Sequence, residues 1–153
     1  MVPRTVLIAV EPFGEGAIEE EGPGSPAFGR LRHPLGAARA GAAIGRGLQA
    51  GDPSLGVDLC PIEPTVPDDF DARMRAARAV VVGAERLDER TLLGSATFEI
   101  ATRARQAGVP AYAVTAENDL SLFDARILDL QVVLQARDTR ALRRAGKKLA
   151  GLV

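Results

Sequence analysis

Hydrophobic residues fall into short unbroken runs separated by stretches of helical period. Thr5 to Val10 (TVLIAV) is apolar throughout and rich in β-branched residues, the pattern of a strand buried on both faces of a parallel sheet. Glu11-Pro12 stops it. From Gly36 to Ala50, Ala40, Ala43, Ile44, Gly47 and Leu48 recur at helical spacing, and their small size predicts a closely packed helix. Gly51-Asp52-Pro53 ends that helix, and Gly56 to Cys60 reads as a second strand. Pro61, Pro64 and Pro67 follow as a stiff connector. Asp68 is placed to cap a helix with Phe70, Met74 and Ala77 on one face, and Ala79 to Val82 is a third strand. The composition of Gly83 to Asp88 predicts a turn. A helix from about Glu89 to Ala107 follows, with Leu93, Ala96, Thr97, Ile100, Ala101 and Ala104 inward, and Gly108 closes it. Ala111 to Thr115 is a fourth strand, a short helix lies near Ser121, and Gln131 to Gln135 is a fifth strand. Asp138 caps a last helix that buries Leu142, Ala145 and Leu149.

Strands alternating with helices predict an α/β fold: one three-layer α/β/α domain over residues 1–153 with a mainly parallel, five-stranded, Rossmann-like sheet. The expected strand order is 2-1-3-4-5, with strands one and three adjacent where the winding reverses. The segments after those strands then face one crevice at the carboxyl edge of the sheet. Residues 14–36 are rich in glycine, carry Pro23, Pro26 and Pro34 and the run Glu19-Glu20-Glu21, and are expected to form a long mobile loop.

Composition narrows the picture. Hydrophobic residues at 46% and charged residues at 25% are ordinary globular values. No apolar run reaches the roughly 18 residues that span a bilayer, and Met1 to Thr5 lacks the order of a signal peptide, so a cytoplasmic protein is expected. Cys60 is the only cysteine and His33 the only histidine, which excludes an intrachain disulfide and a Cys/His zinc site. Cys60 reads as a core residue and His33 as an exposed loop residue. A net charge of −1 gives no support for nucleic-acid or membrane binding, and Arg140, Arg143, Arg144, Lys147 and Lys148 read as the solvated face of the last helix. Those two lysines are the only ones, so no lysine is available to a site near the first strand.

The chemistry-bearing residues cluster at the expected crevice. Gly83-Ala84-Glu85-Arg86-Leu87-Asp88-Glu89-Arg90-Thr91-Leu92-Leu93-Gly94-Ser95 resembles the glycerate kinase family segment Gly-Glu-Gly-Arg-x-Asp followed by Thr-Leu-x-Gly-Lys. Ala79 to Val82 stands where that family has its preceding apolar strand, and Gln106 to Pro110 matches the run into its next strand. Val6 to Phe13 is similar to the family's opening strand and Asp-Ser-Phe-Lys loop, Ala42 to Leu48 to the helix after it, and Pro61-Ile62 to the end of its second strand. The departures are specific. Glu11-Pro12-Phe13-Gly14 lacks the serine and lysine of that loop, and Glu63 to Pro67 replaces an Ala-Asp-Gly-Gly-Glu-Gly stretch. Ala84 replaces a glutamate and Ser95 a lysine. Family members are well over twice as long, and their middle catalytic region has no counterpart here.

The resemblance implies a ligand site of Glu11, Phe13, Gly83, Glu85, Arg86, Asp88 and Ser95, with Arg86 gripping a carboxylate or phosphate. Glu11 and Asp88 would be the oxygen ligands of a Mg²⁺ ion. In the plainer reading Asp88 is a helix cap, and Gly14-Glu15-Gly16 is flexible rather than an anion nest. Three expectations follow. The first is a degenerate, non-catalytic module that holds a small organic anion or nucleotide, or a protein partner. The second is an ATP- and Mg²⁺-dependent glycerate kinase completed by a partner chain or homo-oligomer. The third is a structural subunit with a vestigial crevice.

Overall fold

The computed structural model describes residues 3–18 and 34–153. Its main sheet has five parallel strands, β1 (Thr5–Val10), β4 (Gly56–Pro61), β5 (Ala79–Leu87), β6 (Ala111–Asn118) and β7 (Leu130–Gln135), in the order β4-β1-β5-β6-β7. Counting these five alone, this is the expected order 2-1-3-4-5. The winding reverses at β1, whose neighbours are β4 and β5.

Alternation within β1 explains the three layers. Val6, Ile8 and Val10 enter one core with α1 (Ala37–Gly51) and α5 (Thr139–Ala150), while Leu7 and Ala9 enter a second core with α2 (Phe70–Arg75) and α3 (Ala96–Ala107). Both sets are fully buried, as a continuous apolar strand requires. On the first face α1 and α5 touch backbone to backbone. A Cβ on Gly47 would lie 1.9 Å from the Arg143 carbonyl oxygen, and one on Gly146 would lie 2.1 Å from that of Ile44. On the second face α2 is tied to the edge strand by Arg73, whose guanidinium donates to both oxygens of Asp58 at 3.0 and 2.6 Å and to the Leu59 carbonyl at 2.8 Å. Cys60 is buried in that core, and burial pushes its thiol above its ordinary pKa.

Caps set several boundaries. Asp138 accepts from the Ala141 N–H at 2.7 Å, and Ser121 from the Asp124 N–H at 3.0 Å to start α4 (Leu122–Leu128). Asp68 does not cap α2; Asp69 holds that position and makes no side-chain capping bond.

Two expectations are corrected. Gly83 does not begin a turn, because β5 runs on to Leu87 and pairs with β6 through Arg86↔Glu117 and Leu87↔Asn118. Glycine is needed at 83 for another reason: a Cβ there would meet Val10 of β1 at 2.8 Å. The 14–36 segment is not loop throughout. Gly14–Ile18 forms β2, paired antiparallel with β3 (Pro34–Leu35), and the Phe13 N–H donates to the Leu35 carbonyl at 2.9 Å. The rest of the expected loop, Glu19 to His33, lies outside the described residues, and with it His33.

Candidate functional site at the carboxyl edge of β1 and β5

β1 ends beside the middle of β5. Val10 pairs with Gly83, and the Glu11 N–H donates to the Gly83 carbonyl at 2.8 Å. Beyond this point a cavity of about 540 Å³ opens between the end of β1 and the start of α3, with Glu11, Glu85, Arg86, Asp88, Arg90 and Ser95 among its lining residues. Five of the seven expected site residues thus line one cavity. Phe13 and Gly83 do not. Phe13 is fully buried in the core with Leu35 and Ile44, where a large aromatic side chain is held by packing, and Gly83 is buried within β5.

The chain between β5 and α3 is ordered by two caps in succession. Asp88 accepts from the Arg90 N–H at 2.9 Å, and its own N–H donates to the Thr91 hydroxyl at 3.0 Å, a capping box on a 3-10 helix over Glu89–Leu93. Gly94, in the left-handed region at φ 100°, breaks this helix from α3, which replaces the single helix expected from Glu89. Ser95 then caps α3: its hydroxyl donates to the Thr91 carbonyl at 2.7 Å and accepts from the Phe98 N–H at 3.1 Å. Ser95 therefore has its donor and one acceptor position committed to the fold, and Asp88 one carboxylate oxygen.

The charged groups differ in how they are held. Glu11 is half-buried and accepts from the Thr97 hydroxyl at 3.1 Å. Burial raises its pKa above the usual glutamate value, and the Thr97 bond opposes that rise. Arg86 forms an ion pair with Glu117, the residue opposite it on β6, in an exposed setting where such a pair adds little stability. Arg90 also lines the cavity and forms no ion pair with any described residue. Sequence reasoning missed Arg90 and Thr97. Arg90 precedes the conspicuous Thr91-Leu92, and only the turn of the 3-10 helix brings it to the cavity. Thr97 meets Glu11 across 86 positions of chain.

Mg²⁺ typically takes one or two protein carboxylates, with waters and ligand phosphates completing its oxygen shell. Glu11 and Asp88 supply two carboxylates, each with one oxygen already hydrogen-bonded. Among the described residues no three His, Cys, Asp or Glu side chains gather as a metal site. The donor set therefore fits a metal only as a companion of a phosphate-bearing ligand, with those two residues holding it.

A doubly wound parallel α/β domain with a polar crevice at its switch point defines the class: the architecture that places ligands outside the carboxyl ends of the strands. Within that class the glycerate kinase family profile matches residues 36–150, and the chain belongs to that family. The match takes in the Gly83 to Ser95 segment and leaves Glu11 and Phe13 outside it. No curated protein sequence matches the chain.

Proposed function

We propose that this glycerate kinase family domain is a non-catalytic module that holds a small organic anion, a carboxylate or phosphate ester, in the crevice between β1 and β5. One observation carries the reading. The Ser95 hydroxyl and one oxygen of Asp88 are committed to helix caps, while Arg90 lines the cavity and forms no ion pair with a described residue. Phosphoryl transfer needs fixed cations around the transferring group and an acceptor held in line. Arg86 is matched by Glu117, and both lysines lie on α5, in the helical layer formed with α1. Arg90 is then the residue that grips the anion, with Arg86 joining it when it leaves Glu117.

Titration calorimetry with glycerate and with inorganic phosphate tests this on the parent, Arg90→Ala and Arg86→Ala. Parent binding should be saturable, and Arg90→Ala should weaken it at least about tenfold, the loss expected for a hydrogen bond to a charged group worth about 1.5 kcal/mol or more. A parent that binds neither anion would overturn the reading.

The second reading, an ATP-dependent glycerate kinase completed by a partner chain or by a second copy, draws support from Glu11, Asp88 and Arg90 lining one cavity. Phosphoglycerate formation by the purified chain with ATP, Mg²⁺ and glycerate would favour it over the first.

A further inference from the structure

One helical layer carries cations alone, whereas the other mixes the two signs. Helices α1 and α5 carry Arg39, Arg46, Arg140, Arg143, Arg144, Lys147 and Lys148 and not one acidic residue, so all 20 acidic side chains of the protein lie elsewhere. Arg39 and Arg140 are engaged in other contacts. The other five are exposed, and none forms an ion pair with a described residue. On the opposite layer the pattern differs, with Arg73 paired to Asp58 and Arg103 to Asp71 and Glu99. The backbone contacts at Gly47 and Gly146 hold α1 and α5 together, so their cations stand on one rigid pair of helices.

We propose that this α1/α5 face docks on the phosphate backbone of duplex nucleic acid, through charge and without sequence preference. The net charge of −1 hides the face because most of the acidic residues lie in strands and connections, outside the helices of both layers. Arg140 to Lys148 spans about 12 Å of helix, a length over which a duplex presents about seven phosphates, comparable with the cations of the face. Most of the cations are arginine, whose planar fork matches phosphate oxygens. An anionic membrane is the poorer fit. Of the large apolar side chains exposed among the described residues none lies within α1 or α5, and Leu59 beside α1 and Leu152 just past α5 are single residues, not the apolar face by which a helix inserts.

Fluorescence anisotropy with a labelled duplex of mixed sequence tests the proposal on the full chain. Five phosphate contacts give a slope of about −4.5 in log affinity against log salt, a loss of about 500-fold between 50 and 200 mM. Lys147→Gln with Lys148→Gln should reduce the slope by about two, whereas Arg75→Gln with Arg126→Gln, on the other layer, should leave it unchanged. Circular dichroism checks that each variant stays folded. Three results would overturn the proposal: no binding at 50 mM salt, a slope indifferent to the lysine replacements, or tighter binding to phosphatidylserine vesicles than to the duplex.

Discussion

Replacing Gly47 by alanine inverts the usual effect of that substitution in a helix. Alanine is the better helix former by about 1 kcal/mol, so a permissive site gains stability. At Gly47 the new methyl would lie 1.9 Å from the Arg143 carbonyl oxygen and 2.8 Å from its carbon. A carbon and an oxygen approach to about 3.3 Å at closest, so α1 and α5 must separate by more than 1 Å. The contact atoms belong to helix backbone and cannot rotate away. Ile44, Leu48, Leu142 and Leu149, all fully buried in the core that this interface completes, would lose a quarter to a half of the contact energy they make across it. Overpacking of this kind costs about 1–3 kcal/mol, and the rigid partner places Gly47→Ala at the upper end. The net loss is then about 2 kcal/mol, and the melting temperature should fall by roughly 4–8 °C. Gly41→Ala on the same helix is the control, since its methyl would meet the nearest side chain at 3.7 Å, an ordinary contact. That variant should melt a few degrees higher than the parent. Gly146→Ala should resemble Gly47→Ala, and the double variant should cost less than the sum, because one separation relieves both clashes. Thermal and urea unfolding followed by circular dichroism measure all four. A Gly47→Ala protein as stable as Gly41→Ala would refute the backbone contact.

Two further predictions concern the crevice. Asp88→Ala and Ser95→Ala should each cost about 0.5–2 kcal/mol of stability, the usual range for loss of a helix cap, while anion affinity in calorimetry changes far less than in Arg90→Ala. Glu11, with a pKa raised by burial, binds its proton more tightly in the folded state, so its contribution to stability is present below its ordinary value of 4.5 and lost as pH rises through the folded value. Glu11→Gln should therefore be more stable than the parent at neutral pH, and urea unfolding at a series of pH values should show the two converging in acid.

Much of the fold was legible in local pattern. The apolar run of β1, the small-residue stripe of α1, the short helix near Ser121 and the cap at Asp138 all act within a few residues, and the handedness of crossovers then orders the sheet. The end of β5 was not legible. Gly83-Ala84-Glu85-Arg86 has the composition of a turn, yet pairing with β6, a partner distant in sequence, holds it extended. The crevice was legible as a place, because Glu11, Arg86 and Asp88 follow from topology. Individual roles depended on detail that pattern does not carry. Ser95 stands in a cap-like setting after a glycine, a signal that was available, whereas Phe13 looked like a loop residue and is a core residue. Arg90 and Thr97 reach the site through the turn of a 3-10 helix and a contact spanning 86 positions, neither visible in hydrophobic period.

The pairing of α1 with α5 also bears on how the chain folds. Gly47 and Gly146 stand about a hundred residues apart, so their contact must close one of the longest loops in the molecule before it returns any stabilisation. The strands, α1 on its side of β1 and the α2/α3 layer can assemble from nearer neighbours, but the side of α1 that carries Gly47 stays uncovered until α5 arrives. During that interval the part of α1 that meets α5, around Ile44, Gly47 and Leu48, faces water, and this is where a chaperone or an aggregating neighbour would take hold.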